Sequence, residues 1–590
     1  MDINLMLDVI LERHEVIRET SYDKAVEIVR DLEKKIIPYK KIGLYGVGIE
    51  AEGLLHFISD HTEKFRIDYC FDKTIRTYKY KHMVENTAVY PIEKIPDLKI
   101  DCVILGSLSY REIFRENLNA LGYQGTIIDL YSCLEAYIED HFADYQMVYQ
   151  TRQDYLKAGD AHKAEALRQL IKEYILLKDF KSAFYYIDQY VENQYAEYER
   201  HLALKEDIEK LLLSIKRCIH ARNKKDVIIN WVDALSHYDI PKFPFLKKKM
   251  EEGVCFENAY TVMPWTTETT KTILCGEYPI EGKLFLRENL SKDQVELLRL
   301  LDAGGYGFGY CGMPKFAKLF DEKIAAPVGY YDNKLAGSMQ KQWDALDILC
   351  KSRMPVCILI HTLRETHEPF ICGEGDTFIH FGSTEVDWGK DACRKQAETA
   401  GKYIDGQLAF WSEFYKENAV TIYMSDHGRV GNSPMNDQKV HIMLSVCGNS
   451  IERANIKSMF SLVKFPELIS EIIHDRNDWE RLTEDHVVIE NYDAYDERVV
   501  KDTLSGRLSR EEMYQCRGIR TATDSYYRYA YGEEYYFTDC KTRVNEIHNL
   551  EYAERIHTLK QLCGSEFIDI SQYEKFQFSR LLYESTNVPE

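Results

Sequence analysis

What this sequence lacks narrows its reading first. No apolar run is long enough to cross the ~30 Å hydrocarbon core of a bilayer. The opening MDINLMLDVILERHEVIRET carries charges through its apolar part and so lacks the layout of a secretory leader. The 15 cysteines are scattered, with Cys350 and Cys357 the closest pair, so there is no CxxC zinc or redox motif. Positive charge is in deficit: 75 Lys and Arg stand against 96 Asp and Glu, a net charge of −21. Phosphate-rich partners repel such a chain, which excludes nucleic acid and anionic membrane surfaces as expected partners. These absences together lead to the expectation of a cytoplasmic protein with no membrane span and reduced thiols. At 590 residues there is ample chain for about three or four domains.

The N-terminal third alternates strands and helices. After one or two amphipathic helices, Lys41-Ile42-Gly43-Leu44-Tyr45 reads as a strand that enters Gly46-Val47-Gly48-Ile49-Glu50-Ala51, a GxGxxA turn followed by a helix. Further strands are expected from Phe65 to Phe71, ending at Asp72, then at Asp101–Gly106 and Thr126–Leu130. That alternation implies a parallel, doubly wound sheet, a Rossmann-like domain placed with its N-terminal helices in 1–145. Gly46 and Gly48 would allow close approach to a pyrophosphate, and Asp72 would hold a ribose hydroxyl, so a nucleotide or nucleotide sugar is a candidate ligand. Parallel sheets also use Gly-rich first turns without any dinucleotide, and that alternative stays open. The domain resembles small Rossmann-like modules of sugar-modifying and polysaccharide-biosynthesis proteins. It lacks a Tyr-x-x-x-Lys pair, so redox chemistry is not expected there.

From 146 to 222 the pattern turns helical. Ala164, Leu167, Ile171 and Tyr174 recur at three- and four-residue spacing, as do Ala183, Tyr186, Ile187, Tyr190 and Val191. One tetratricopeptide-style hairpin is too little for a solenoid, so the segment is expected to be a spacer or a surface for homo-oligomerisation.

The chemistry concentrates downstream. Val227-Ile228-Ile229-Asn230-Trp231-Val232 is a short β-branched run with Asp233 where the strand would end. Pro264-Trp265 precede Thr266 and a helix-like run, and a hydroxyl at a helix start lies beside free N–H groups. A second strand, Ala419–Met424, runs into Ser425-Asp426-His427-Gly428-Arg429. Carboxylates, a hydroxyl and an imidazole at strand ends or a helix start suit zinc or manganese.

Three of these stretches, VIINWVDAL, EEGVCFENAYTVMPWTTETTKTILCGEYP and MSDHGR, resemble the sulfatase-like part of the alkaline phosphatase superfamily. The resemblance implies an α/β sandwich over 223–500 and a small antiparallel subdomain over 501–590, where RGIRTATDSYYRYAYGEEYYF has alternating aromatics. It also implies one divalent metal held by Asp233, Asp426, His427 and the nucleophile oxygen. Counting back from Cys275-Gly276-Glu277-Tyr278-Pro279 puts Thr266 at the nucleophile position. Sulfatases carry CxPSR there, but Thr266-Thr267-Glu268-Thr269-Thr270 stands here, so phosphoryl rather than sulfuryl chemistry is expected. His367, before a Pro, matches a histidine near the leaving group. The expected activity is phosphodiesterase, phosphomonoesterase or phosphoethanolamine- or phosphoglycerol-type transfer on a small-molecule or glycan phosphoester. The alternatives are a sulfuric ester hydrolase and an inactive scaffold bearing a nucleotide-sensing domain.

Plainer readings stand beside these. Asp233 and Thr266 are also residues that cap helices. His361 and His441, on or beside apolar strands, read as satisfied core histidines. Asp376 and His380 would suit a metal only on a helix, which Gly373 and Gly375 oppose.

Overall fold

The computed structural model describes residues 1–16, 32–47, 55, 62, 64–73, 83–84, 87–106, 111–129, 143–222, 224–287, 290–312, 337–363, 365–367, 370, 372–374, 391–415, 419–429, 433–493, 500, 503–504, 509–539, 544–564, 567–569 and 572–573. Among them lie three sheets.

The first sheet contains β1 (Ile42–Tyr45), β2 (Tyr69–Asp72), β3 (Met83–Val84), β4 (Thr87–Pro91), β5 (Cys102–Leu105) and β6 (Thr126–Ile128), in the order β3-β4-β2-β1-β5-β6. All pairings are parallel except the β3–β4 hairpin. With that hairpin strand set aside, five parallel strands remain in the order β4-β2-β1-β5-β6, which reverses at central β1. The apolar runs IGLY and CVIL are wholly buried because both faces of a parallel sheet are covered. β4 is not among the expected strands, because a run that includes Pro91 argues against strand pairing.

The second sheet contains β7 (Asp226–Val232), β8 (Val254–Tyr260), β9 (Gly307–Cys311), β10 (Val356–Thr362), β11 (Ala419–Met424), β12 (Leu444–Cys447) and β13 (Ala454–Ser461). Their order is β13-β8-β12-β11-β7-β10-β9. β7 lies between β11 and β10, both parallel to it, while β12 runs antiparallel to its neighbours. Every residue of β7 is buried, and side chains that alternate across the strand feed two cores. Val227, Ile229 and Trp231 join Ile273, Leu297 and Leu468 on one face, and Ile228 joins Trp343 and Trp411 on the other.

Four helices, Ala143–Lys157, Asp160–Leu176, Phe180–Glu192 and Tyr198–His220, occupy the segment expected to be helical. Their inner residues, among them Leu170, Ile187 and Ile208, belong to the same core as Trp343 and Ile358. Although it precedes the first sheet in the chain, helix Ile3–Arg13 also packs there, through Ile3 and Leu7, with Trp343 Nε1 donating to Asn4 Oδ1 at 2.7 Å.

The third sheet, β14 (His486–Asn491), β15 (Cys516–Thr521), β16 (Ser525–Tyr529) and β17 (Glu534–Phe537), is antiparallel throughout. Its tyrosines alternate between two cores, Tyr527 and Tyr529 on one face and Tyr526 and Tyr536 on the other. Among the described residues no helix is long and apolar enough to cross a membrane.

Candidate metal centre and nucleophile

Strand register assembles the site. Trp231 pairs with Met424 across β7–β11, and Val232 pairs with Thr362 across β7–β10. Because the three strands are parallel, Asp233 and Asp426 leave the same sheet edge at the same height, beside His361 and Thr362. Ala234 then turns back with φ of +56°, a left-handed conformation that costs a non-glycine residue about 1 kcal/mol. The turn aims the Ala234 N–H at Asp426 Oδ1, 3.1 Å away, and the His427 N–H reaches the same oxygen at 2.9 Å. Ser425 Oγ accepts from Leu235 N at 2.9 Å and donates to the His427 carbonyl at 2.8 Å, which ties the two strand-end loops together.

Helix Thr266–Cys275 brings the hydroxyl. Trp265 is extended at the cap position and its indole donates to Asn491 Oδ1 at 2.9 Å, fixing where the helix begins. Thr266 Oγ1 lies 3.3 Å from Asp233 Oδ2 and 3.0 Å from His427 Nε2. His427 Nδ1 is 2.9 Å from the Gly428 carbonyl, an acceptor only, so the proton is on Nδ1 and the Nε2 lone pair faces Thr266. Burial lowers the His427 pKa, with the charge of Lys439 acting in the same direction, and keeps the ring neutral and able to ligate. Burial alone would raise the Asp233 pKa. The His361 hydrogen bond, and the attraction of the neighbouring imidazoles of His361, His367 and His427 in the acid range where a carboxyl titrates, outweigh it and hold that carboxyl well below the usual carboxylate range.

These residues fit a divalent cation. Ligand atoms of Asp233, Asp426 and His427 lie within 4.8 Å of one another, and all three residues are buried. Asp233 Oδ1 and Asp426 Oδ2 are buried with no hydrogen-bond partner. Two such oxygens are costly without a cation to meet them, and two carboxylates with a neutral imidazole suit zinc or manganese.

The remaining sequence candidates divide. His367 is half-buried on the turn after β10, close enough for its charge to act on both Asp233 and His427. His361, read from the sequence as a core histidine, is buried, but its partner is the site itself: Nε2 is 2.8 Å from Asp233 Oδ2 and the ring stacks on Trp231. The available signal was a polar residue near the end of an otherwise apolar strand, and register with Trp231 turns it towards Asp233. His441 is buried as expected but only half satisfied: Nε2 is 2.7 Å from the Glu257 carbonyl and the ring stacks on His237 and Tyr260, while Nδ1 has no hydrogen-bond partner among the described residues. Asp376 and His380 lie outside the described residues. In the first sheet, Gly46 follows β1 with φ of +113°, and a Cβ there would meet the Phe114 ring at 3.0 Å. Asp72 ends the adjacent β2, at the same sheet edge, and Gly48 lies outside the described residues. Gly46 is therefore already required by its turn and its packing, whatever the domain binds.

Fold and site together define an α/β protein with a buried carboxylate–imidazole–hydroxyl centre at the carboxyl edge of its central strands. No protein-family model matches the chain, and no curated protein matches it. Solved structures similar to it include the phosphonate monoester hydrolase of Silicibacter pomeroyi, at 11% identity over 62% of this chain and 96% of that one, with a TM-score of 0.45. The phosphonate monoester hydrolase of Agrobacterium radiobacter is similar at 13% identity over 57% and 94% of the two chains, TM-score 0.43. A putative sulfatase from Bacteroides thetaiotaomicron is similar at 14% identity over 60% and 94%, TM-score 0.43.

Proposed function

We propose that this protein is a metal-dependent phosphoryl-transfer enzyme with Thr266 as its nucleophile. The observation that carries the reading is the convergence of Thr266 Oγ1 on Asp233 and His427 beside two buried carboxylate oxygens without partners. Asp233, Asp426, His427 and the Thr266 oxygen would hold the cation. When bound, a zinc or manganese ion supplies Lewis acidity that lowers the pKa of an adjacent hydroxyl.

The chain's own residues do the rest. The single Thr266 hydroxyl proton is shared between Asp233 Oδ2 and His427 Nε2, which orients its oxygen. The hydroxyl proton passes by way of Asp233 Oδ2 to solvent as the Thr266 oxygen attacks phosphorus in line: a new O–P bond forms, the bond to the leaving oxygen breaks, and His367 gives the leaving oxygen its proton. First-turn N–H groups of helix Thr266–Cys275 face the equatorial oxygens, where charge develops. Water or an acceptor hydroxyl then loses its proton to His367 and attacks the phosphorus of phosphothreonine, and the bond between phosphorus and the Thr266 oxygen breaks. Threonine in place of CxPSR favours phosphorus over sulfur, and the Rossmann-like module favours a sugar or glycan phosphoester as substrate.

The test is turnover of an aryl phosphodiester by zinc- or manganese-loaded protein, with intact mass after rapid acid quench. Thr266→Ala is expected to lower the rate at least ~1,000-fold, and Thr267→Ala to leave it within about threefold, because it is the Thr266 oxygen that lies against Asp233 and His427. Full activity in Thr266→Ala would refute the reaction class.

A further inference from the structure

Behind the turn that carries His367 lies a buried carboxylate with no catalytic task of its own. Glu365 is fully buried just after β10, and donors from two other elements occupy both its oxygens. The Tyr145 hydroxyl, from helix Ala143–Lys157, donates to Oε1, as does the Ser338 N–H at 3.0 Å. Ser338 Oγ donates to Oε2 at 2.7 Å. Tyr145 stands edge-on to Tyr403, whose hydroxyl donates to Asp179 Oδ2 at 2.8 Å, and Asp179 caps helix Phe180–Glu192 through the Ser182 N–H. The far side of the turn is held too. Gln396 Nε2 donates to the Phe370 carbonyl at 2.9 Å, and a Cβ on Gly373 would lie 2.5 Å from Val148. His367 sits between these holds, its N–H on the Leu363 carbonyl at 2.9 Å and its own carbonyl taking the Phe370 N–H at 2.8 Å.

A fold that only had to close this gap would do so at lower cost with an apolar side chain, because a buried carboxylate must recover its lost hydration from donors. What a carboxylate adds is direction: three donors on rigid helices fix the turn two residues before His367. We propose that Tyr145, Glu365 and Ser338 are positioning residues for His367, an anchor through which the helical segment 143–220 sets the proton donor against the metal centre. This rests on the phosphoryl-transfer reading of that centre, and it gives the helices a part in the reaction that a spacer would not have.

The experiment uses the full-length, metal-loaded chain with Tyr145→Phe and Ser338→Ala, the second variant standing if the first fails to fold. Each is assayed on a nitrophenyl and a phenyl phosphodiester. A proton donor matters most for the poorer leaving group, so phenyl-ester turnover is expected to fall about 10-fold and nitrophenyl-ester turnover no more than about threefold. In a His367→Ala background neither change should add to the loss. In parallel, spectra of 13C-labelled histidine, with His367 assigned by difference against His367→Asn, should show the His367 signal shifted or broadened in both variants. An unmoved His367 signal overturns the proposal whatever the rates do, and so does an equal loss on the two esters. Wild-type protein inert towards both esters would instead sink the phosphoryl-transfer reading, and the His367 signal alone would then decide the anchor.

Discussion

Replacing Asp426 with asparagine should have opposite effects on the metal-free and metal-loaded protein. Asp426 Oδ1 accepts the Ala234 and His427 N–H groups, and an asparagine oxygen accepts both equally well. Only Oδ2, the buried oxygen without a partner, changes character. With both carboxylates ionised and their ligand atoms within 4.8 Å, repulsion between Asp233 and Asp426 amounts to about 3 kcal/mol at an effective dielectric constant near 20. Chelator-treated Asp426→Asn is therefore expected to be more stable than chelator-treated wild type by about 3 kcal/mol, a rise in melting temperature of a few degrees. Added zinc or manganese should raise the melting temperature of the wild type and leave the variant nearly unmoved, because binding to the folded state alone stabilises it. Differential scanning calorimetry with and without chelator measures all four states. Equal melting temperatures in chelator, or an equal metal-dependent rise in both proteins, would refute the argument that these oxygens await a cation.

Other perturbations test other parts of the structure. Burial pushes the Asp344 carboxyl up to about 7, with Gln340 holding one oxygen. The folded state then binds this proton more tightly than the unfolded chain, so its stability is fully present below about pH 4 and lost as pH rises towards 7, at most about 4 kcal/mol. Urea unfolding of Asp344→Asn should lack that slope and show the greater stability at pH 8. A Cβ on Gly428 would lie 1.8 Å from the Gln438 carbonyl oxygen, so Gly428→Ala must displace the loop bearing His427. Titration calorimetry should then show metal affinity reduced at least ~10-fold, with far-UV circular dichroism unchanged. If the first sheet binds a dinucleotide or nucleotide sugar, calorimetry with NAD, NADP and nucleotide sugars should detect heat that Asp72→Ala reduces at least ~10-fold in affinity. A flat titration would leave Gly46 its structural role alone.

Sequence alone determined the elements whose cause is local. Short β-branched runs at Val227–Val232 and Ala419–Met424 form the buried strands expected of them, and the helix expected after Pro264-Trp265 begins at Thr266. Those elements carried Asp233, Thr266, Asp426 and His427, so the candidate ligand types were legible before their distances were. Only the tertiary structure decided which residues meet. His361 became a partner of Asp233 because parallel register sets β10 beside β7, and nothing in the local pattern of VCILIHT encodes that neighbour. Likewise the helices from 143 to 220 share one core with Trp343 and Ile358, since a helix face records only that it is apolar, never what covers it. Periodicity reports burial, which is a property of one segment; a hydrogen bond between Tyr145 and Glu365 is a property of two, and it exists only once the sheet has fixed the space between them.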